Sequence, residues 1–382
     1  MPALLGKSDV ELAAHIGAWA ATLRPRIAEA ERDGVLPADV IRDLGRLGVL
    51  GMAVPEADGG LGATAVQLAM TLELLAFTWP SLAVGVSVNS GIVAGSIVRY
   101  GTPEQRARWL PTLIDGSGLG AFALTEASSG SDAASLRASA RREGDGWVLK
   151  GRKQFITNAR YAPLVIVLAR VGEPEPGRAH AGITAFIVPT DAPGVSFGPP
   201  ERKMGLLASD TSALVLDDAR VPADAVLGEV GRGFGIALAG LDGGRIGIAA
   251  QSTGIAWAVI DRAIAYSRER EQFGRPIAEF EAIRFALARA HTEREAARLL
   301  MLRAAWLRDR GRPYTREASM AKLYASESAQ RAAYAALQIF GGNGYMRDYE
   351  VERYARDVRA TTIYEGTSEV QRMVIARSLL AA

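Results

Sequence analysis

Ala121-Phe122-Ala123-Leu124-Thr125-Glu126-Ala127-Ser128-Ser129-Gly130-Ser131-Asp132 is the stretch at which the hydrophobic period of this chain changes. Before it, apolar residues recur at helical spacing; from about Gly116 onward they come in short β-rich runs. The stretch leaves a predicted strand at 121–125 and ends in small hydroxyl and glycine residues. Such a loop either presents N–H and O–H groups to a planar polar ligand or a phosphate, or is simply a polar connection.

Working downstream, the runs 147–150, 164–169, 183–188 and 213–216 alternate with Gly, Pro and Asp, and Glu143-Gly144-Asp145-Gly146 reads as a hairpin turn. Residues 116–226 are therefore expected to form a small antiparallel sheet domain. Upstream, Leu12, Ile16, Trp19 and Leu23 repeat at helical spacing, Pro37 opens a short helix through Val40, Ile41 and Leu44, and 67–77 continues the pattern. Ser8 with Glu11 reads as a helix cap, and Thr102-Pro103-Glu104-Gln105 as a well-formed helix start. The glycines of Ala57-Asp58-Gly59-Gly60-Leu61-Gly62 are read as turn residues, since no strand precedes them. Residues 1–115 thus form an N-terminal helical domain.

Beyond the sheet, 234–271, 283–310 and 316–340 have helical periods far longer than the usual globular helix of about 11 residues. Residues 227–382 are read as a C-terminal four-helix bundle. Gly231-x-Gly233-x-Gly235 is not a dinucleotide fingerprint: the third glycine is misspaced and no strand–helix alternation surrounds it. The fold class is α+β, mostly α, in the order helices, sheet, helices.

Composition excludes several chemistries. There is no cysteine, which removes disulfides, thiolate metal sites and cysteine nucleophiles. The three histidines, His15, His180 and His291, lie far apart without ligand spacing, which argues against a histidine metal site or triad. A net charge of +2 gives no reason to expect nucleic acid or an anionic membrane as partner. No secretory signal is read at the N-terminus, no window reaches about 18 uninterrupted apolar residues, and a cytoplasmic location is expected.

Four further segments carry candidate chemistry. Lys153-Gln154-Phe155-Ile156-Thr157-Asn158 sets a ring two residues from a hydroxyl; on one strand these share a face, serving either a stacked ligand or a buried core. The guanidinium-rich end Arg268 to Arg275 can bind a pyrophosphate or form a solvated face. Gln338-Ile339-Phe340-Gly341-Gly342-Asn343-Gly344-Tyr345 has more glycine than a turn needs, which reads as close passage of a backbone or cofactor, or as a flexible connection. Finally, Ile363-Tyr364-Glu365-Gly366-Thr367-Ser368-Glu369-Val370-Gln371-Arg372 sets one carboxylate beside a glycine ahead of a helix, with Ser368 and Gln371 read as a capping box. Glu365 is then a positioned acid or an ordinary solvated one.

Together these segments resemble the acyl-CoA dehydrogenase family. Leu124-Thr125-Glu126-x-x-Ser129-Gly130-Ser131-Asp132 looks like its first signature. Gln338-x-x-Gly341-Gly342-x-Gly344-Tyr345-x-x-Asp348, continuing through Arg353 and Asp357, looks like its second. Tyr364-Glu365-Gly366-Thr367 is similar to its catalytic loop, and the likeness covers nearly the whole chain.

The resemblance implies FAD held between the sheet domain, the bundle and a neighbouring subunit of a homotetramer or dimer. Phe122, Leu124, Thr125, Ser131, Phe155 and Thr157 match positions along the flavin and its ribityl-phosphate arm. Arg270, Gln272 and Phe273 match the segment reaching the diphosphate across a subunit interface. Gln338, Gly341, Gly342 and Glu281 match the adenosine side, and Thr367 and Glu369 follow the catalytic loop onto the cofactor. Leu241 to Arg245 matches the helix meeting the acyl-thioester and pantetheine, so Asp242, Arg245, Ser131, Tyr364 and Gly366 are expected on the substrate. Some members carry the base at the position of Gly244; here that is glycine, which leaves Glu365 as the base.

The implied reaction is α,β-dehydrogenation of an acyl-CoA: Glu365 removes the α-proton, hydride passes to flavin N5, and electrons leave to an electron-transfer flavoprotein. The Glu365 N–H and a ribityl hydroxyl are the donors implied at the thioester carbonyl. Phe155 replaces a tryptophan common in the family, and Glu281 stands where many members have glutamine. Ala83 lies about where glutaryl-CoA members carry an arginine, which argues against a dicarboxylic substrate. Gly243 and Gly244 fit a short or modestly branched acyl chain. An oxidase or flavin monooxygenase of the same fold, a dehydrogenase acting on acyl carrier protein thioesters, and a flavin-binding protein without turnover remain as alternatives.

Overall fold

The computed structural model describes the backbone of residues 7–173 and 176–381, with side chains from residue 11 onward, so the side-chain cap read at Ser8 lies outside what is described. The N-terminal part is helical: α1 (Lys7–Thr22), α2 (Arg24–Asp33), α3 (Ala38–Arg46), α4 (Ala65–Thr78), α5 (Pro80–Val86), α6 (Gly95–Tyr100) and α7 (Pro103–Ile114). Reciprocal capping boxes, Thr64 with Gln67 and Thr102 with Gln105, start α4 and α7. Between α5 and α6 the helix widens into a π-helical stretch, Ser87–Ala94. The continuous run Pro80–Tyr100 is, among the described residues, the one helical stretch long and apolar enough to cross a membrane, yet 83% of its most apolar window is buried inside the protein. It is a core helix of this fold.

The sheet runs β1 (Ala121–Ala123), β2 (Ser139–Glu143), β3 (Gly146–Thr157), β4 (Leu164–Val171), β5 (Ile183–Pro189), β6 (Val195–Pro200), β7 (Thr211–Pro222) and β8 (Val226–Leu227), in the spatial order β6-β7-β3-β2-β4-β5-β8 with β1 beside β4. Glu143 pairs with Gly146 across the anticipated hairpin turn. The sheet is not purely antiparallel: β1 and β2 both pair with β4 in parallel. Long connections make this possible, since each return to β4 passes through intervening loop or strand rather than a tight turn. Strands β2, β6 and β8 escape the sequence pattern because they are polar, proline-containing or two residues long.

The C-terminal part holds α8 (Gly233–Glu269), a small hairpin of β9 (Glu271–Gln272) and β10 (Arg275–Pro276), α9 (Glu281–Asp309), α10 (Thr315–Phe340), α11 (Val351–Asp357) and α12 (Ser368–Leu380). Gly233 is explained by packing: a Cβ there would run into the backbone of Thr184 and Ala185, so only glycine lets α8 start against β5. The main core is shared between the ends of the chain, with Leu72 of α4, Trp79, Ala249 of α8 and Met301 of α9 in one buried cluster.

Candidate active site

The loop before α12 is built differently from the expected capping box. Thr367, not Ser368, is the N-cap, its Oγ1 accepting from the Val370 N–H at 3.3 Å. That register puts Gln371 one residue past the box position, and Gln371, fully buried, instead donates from Nε2 to the carbonyls of Glu365 at 3.2 Å and Gly366 at 2.9 Å. Lys322 of α10 donates to the same Gly366 carbonyl at 2.7 Å. The three contacts hold two successive left-handed residues, Glu365 at φ 53° and Gly366 at φ 93°. Glycine tolerates this freely; a glutamate there costs on the order of 1–3 kcal/mol and persists only because its surroundings impose it.

The Glu365 side chain faces inward. Its Oε2 is buried without a hydrogen-bond partner among the described residues, and burial pushes the carboxyl up to about 7, opposed by the charges of Lys322 and Arg245. A Cβ built at Gly244 would overlap the Glu365 carboxylate, so α8 leaves that volume open for the acid. One residue on, buried Arg245 pairs with Asp242 at 2.6 Å, while Thr315 Oγ1 donates to the other Asp242 oxygen at 2.5 Å. Tyr364 donates to Gln251, whose amide donates in turn to the Pro80 carbonyl at 3.0 Å.

Glu365 opens onto a cavity of about 550 Å³. One wall is the sheet domain: Phe122, Leu124, Thr125, Ser131, Phe155 and Thr157 all line it. Phe155 and Thr157 face the cavity together, but not by simple strand alternation. Phe155 sits at φ 60° in a register break between Lys153 and Ile156, so a bulge turns its ring outward at 59% exposure. The 125–138 loop is pinned by a buried ion pair: Lys153 Nζ meets Glu126 at 2.8 Å and the Leu124 carbonyl at 3.0 Å, and Glu126 accepts the Arg137 and Ala138 N–H groups at 2.7 and 2.9 Å. The opposite wall is apolar: Val84, Val88 and Ile92 of the widened helix, with Phe234, Leu238 and Leu241 of α8. Ala83, the position considered for a substrate arginine, is fully buried in the main core; Val84 is its neighbour that reaches the cavity.

Arg245, Tyr364, Gly366 and Thr367 complete the cavity, whereas Asp242 turns to a second one of about 600 Å³ lined also by Arg99, Arg308, Arg312 and Tyr314. Glu369 lies with Thr367 on a third cavity of about 500 Å³. The remaining expected cofactor residues do not join the first cavity within one chain. Arg270 caps the end of α8, and Gln272 and Phe273 stand on the exposed β9–β10 hairpin that follows, Phe273 at φ 55° and 94% exposed. Glu281 opens α9 at the surface, and Gln338, Gly341 and Gly342 are exposed at the end of α10. Of that glycine cluster, Gly341 supplies a positive φ and Gly344 a close approach to the Leu337 carbonyl, while Gly342 has open space around it.

Sequence reasoning did not single out Lys322, Gln251, Val84, Val88 or Ile92. Lys322 carried a signal: it lies one helical turn from buried Ala318 and Ala325, where a solvated lysine has no place.

Three family models match in order: the acyl-CoA dehydrogenase N-terminal domain over residues 11–117, the middle domain over 121–219 and the C-terminal domain over 231–380. The mitochondrial short-chain specific acyl-CoA dehydrogenase of Bos taurus is 43% identical over 94% of this chain and 86% of its own. Butyryl-CoA dehydrogenase from Megasphaera elsdenii superposes with a TM-score of 0.95 at 39% identity, over 98% of this chain and 99% of its own. A chain from a structure described as the electron transferring flavoprotein of Acidaminococcus fermentans reaches 0.96 at 39% identity, over 99% of both chains. The chain belongs to the FAD-dependent acyl-CoA dehydrogenase family, oxidoreductases that act on a CH–CH group.

Proposed function

We propose that this protein dehydrogenates a short or short-branched acyl-CoA thioester, with Glu365 as the base that removes the α-proton. The observation that carries this reading is the unpartnered Glu365 Oε2, raised to about 7 at the edge of an apolar cavity. A carboxyl near neutrality is basic enough to take a weakly acidic carbon-bound proton and still ionised over much of the working range. The left-handed backbone at 365 supports the use of its own N–H as a donor toward the thioester oxygen.

The residues present fit FAD. Phe155 offers an open ring face beside the Thr157 hydroxyl, and Gly130 has free space around it next to Ser131 and Thr125. FAD, when bound, supplies the acceptor for the hydride leaving the β carbon. Phe122, Leu124, Thr125, Ser131, Phe155 and Thr157 would hold its isoalloxazine end, and Thr367 and Glu369 the arm beyond. Arg270, Gln272, Phe273, Glu281, Gln338, Gly341 and Gly342, all solvent-facing here, would meet the cofactor of a neighbouring subunit in a homotetramer.

For the substrate, Ser131, Arg245, Tyr364 and Gly366 border the cavity that would take the acyl group. Asp242 borders the second cavity, where Arg99, Arg308 and Arg312 suit the phosphates of a CoA arm. The relatives named for short-chain and butyryl substrates support a short acyl chain, and the likeness to a chain in an electron transferring flavoprotein structure supports that class of acceptor.

The test is an anaerobic screen for bleaching of the bound flavin across acyl chain length, branching and carrier, with Glu365→Gln as control. The variant is expected to keep its FAD and lose bleaching by at least about a thousandfold. Undiminished bleaching in that variant would remove Glu365 from the role of base.

A further inference from the structure

Lys322 is fully buried on α10, at the level of Ala318, Ala321 and Ala325. An ammonium in such surroundings is unfavourable unless it is hydrogen-bonded and electrically matched. Its Nζ donates to a backbone carbonyl, that of Gly366, at 2.7 Å. That carbonyl already accepts from the neutral amide of Gln371 at 2.9 Å, so a second donor there needs no charge.

The charges around Glu365 explain why the donor is a cation. From α8, Arg245 faces the acid, but Asp242 pairs with it at 2.6 Å and offsets its charge. From α10, Lys322 faces it, with Glu327 farther along the same helix; from α12 comes Glu369, and Tyr364 is the neighbour on the loop itself. The helix Pro80–Tyr100, which brings Val84, Val88 and Ile92 to the cavity, brings no charged side chain into it. Glu327 and Glu369 also act on Lys322 but pair with Arg372, so among the described residues Lys322 is the nearby cation with no ion pair of its own, and Glu365 is the first carboxylate that it serves.

We propose that Lys322 is a positioning residue for the base: its bond to the Gly366 carbonyl fixes the left-handed pair 365–366, and its charge keeps the buried Glu365 carboxylate ionised near neutral pH. The inference rests on Glu365 being the base. Burial lowers Lys322 itself to about 8 and raises Glu365 to about 7, so each group's charge stabilises the other's across the range where both titrate.

The test uses FAD-loaded Lys322→Met and Lys322→Gln. The Glu365 midpoint is read without substrate, as the pH titration of the neutral carboxyl band in infrared difference spectra, identified by its absence from Glu365→Gln. Both variants are expected to raise that midpoint by about one pH unit or more, a tenfold gain in proton affinity. In anaerobic bleaching, well above the new midpoints, Lys322→Gln, which keeps a donor, should run within about threefold of the parent. Lys322→Met should be slower by about 10–100-fold through the loosened loop. An unmoved or lowered midpoint in Lys322→Gln overturns the electrostatic role, and equal bleaching rates in the two variants overturn the tether. Lys322→Gln carries the midpoint test where Lys322→Met does not fold. Failure of the parent protein to bleach with any acyl thioester would instead overturn the proposed reaction, leaving the infrared result intact.

Discussion

Gly244 and Glu365 compete for one volume. A Cβ at 244 would meet the Glu365 carboxylate and the Ile92 side chain, and the acid would have to swing away while Gln371 and Lys322 hold the 365–366 carbonyls in place. Gly244→Ala is therefore expected to displace the carboxylate by about 1 Å and slow anaerobic flavin bleaching about 100-fold, with FAD retained. Stopped-flow rates on the flavin-replete variant check this, and an unchanged rate would show that the acid has room elsewhere. Glu365 was legible in the sequence as an acid beside a glycine before a helix, and Gly244 as an empty base position. What the sequence hid was the support. Gln371 looked like a capping partner because spacing along a helix says nothing about a loop's carbonyls, and Lys322 lies over forty residues away, joined to Glu365 only by the fold.

At the scale of elements, the site depends on how the 125–138 loop is anchored. Lys153 and Glu126 are both buried, and together they satisfy the Leu124 carbonyl and two loop N–H groups. Glu126→Ala strands a buried ammonium and two amides, at a cost of about 3–5 kcal/mol. The expected result is a clear drop in thermal midpoint and a lower flavin content on purification; a protein that keeps both would show the pair to be dispensable. The loop's hydroxyl and glycine residues were readable as a ligand-facing segment, and the long helices α8, α9 and α10 followed from their period. The bulge at Phe155 was not readable, since alternation along β3 would also bring Phe155 and Thr157 to one face. Both routes lead to the cavity, but only the bulge leaves the ring so exposed.

At the scale of the whole molecule, the order of helices, sheet and helices was legible, but not the junction that ties the three together. The 204–208 segment of the sheet region runs between two buried carboxyls. Asp357 of α11 accepts the Leu206 N–H, and Glu31 of α2 accepts those of Leu207 and Ala208 at 2.8 and 3.2 Å. Leu206, at φ 52°, packs with Val84, Ile248 and Tyr364, so the junction lies directly beneath the 364–367 loop. Burial first, and then the Glu31 charge, raise Asp357 from 3.8 to about 7, while the Leu206 N–H, Arg353 and Arg356 oppose the rise. The folded protein therefore holds the Asp357 proton in a range where the unfolded chain has released it. With more protons bound in the native state between 3.8 and about 7, stability falls as pH rises through that window, and the full penalty is present above it. Asp357→Asn imitates the protonated form and keeps an acceptor for Leu206. It should already exceed the parent's thermal midpoint slightly near pH 5, inside that window, and its lead should widen by on the order of 2 kcal/mol by pH 8. Differential scanning calorimetry of the flavin-loaded pair from pH 5 to 8 measures the gap. A gap that stays constant with pH would mean that Asp357 is ionised throughout and that the junction is held by charge, whereas a widening one shows that Asp357 keeps its proton where the three parts of the chain meet.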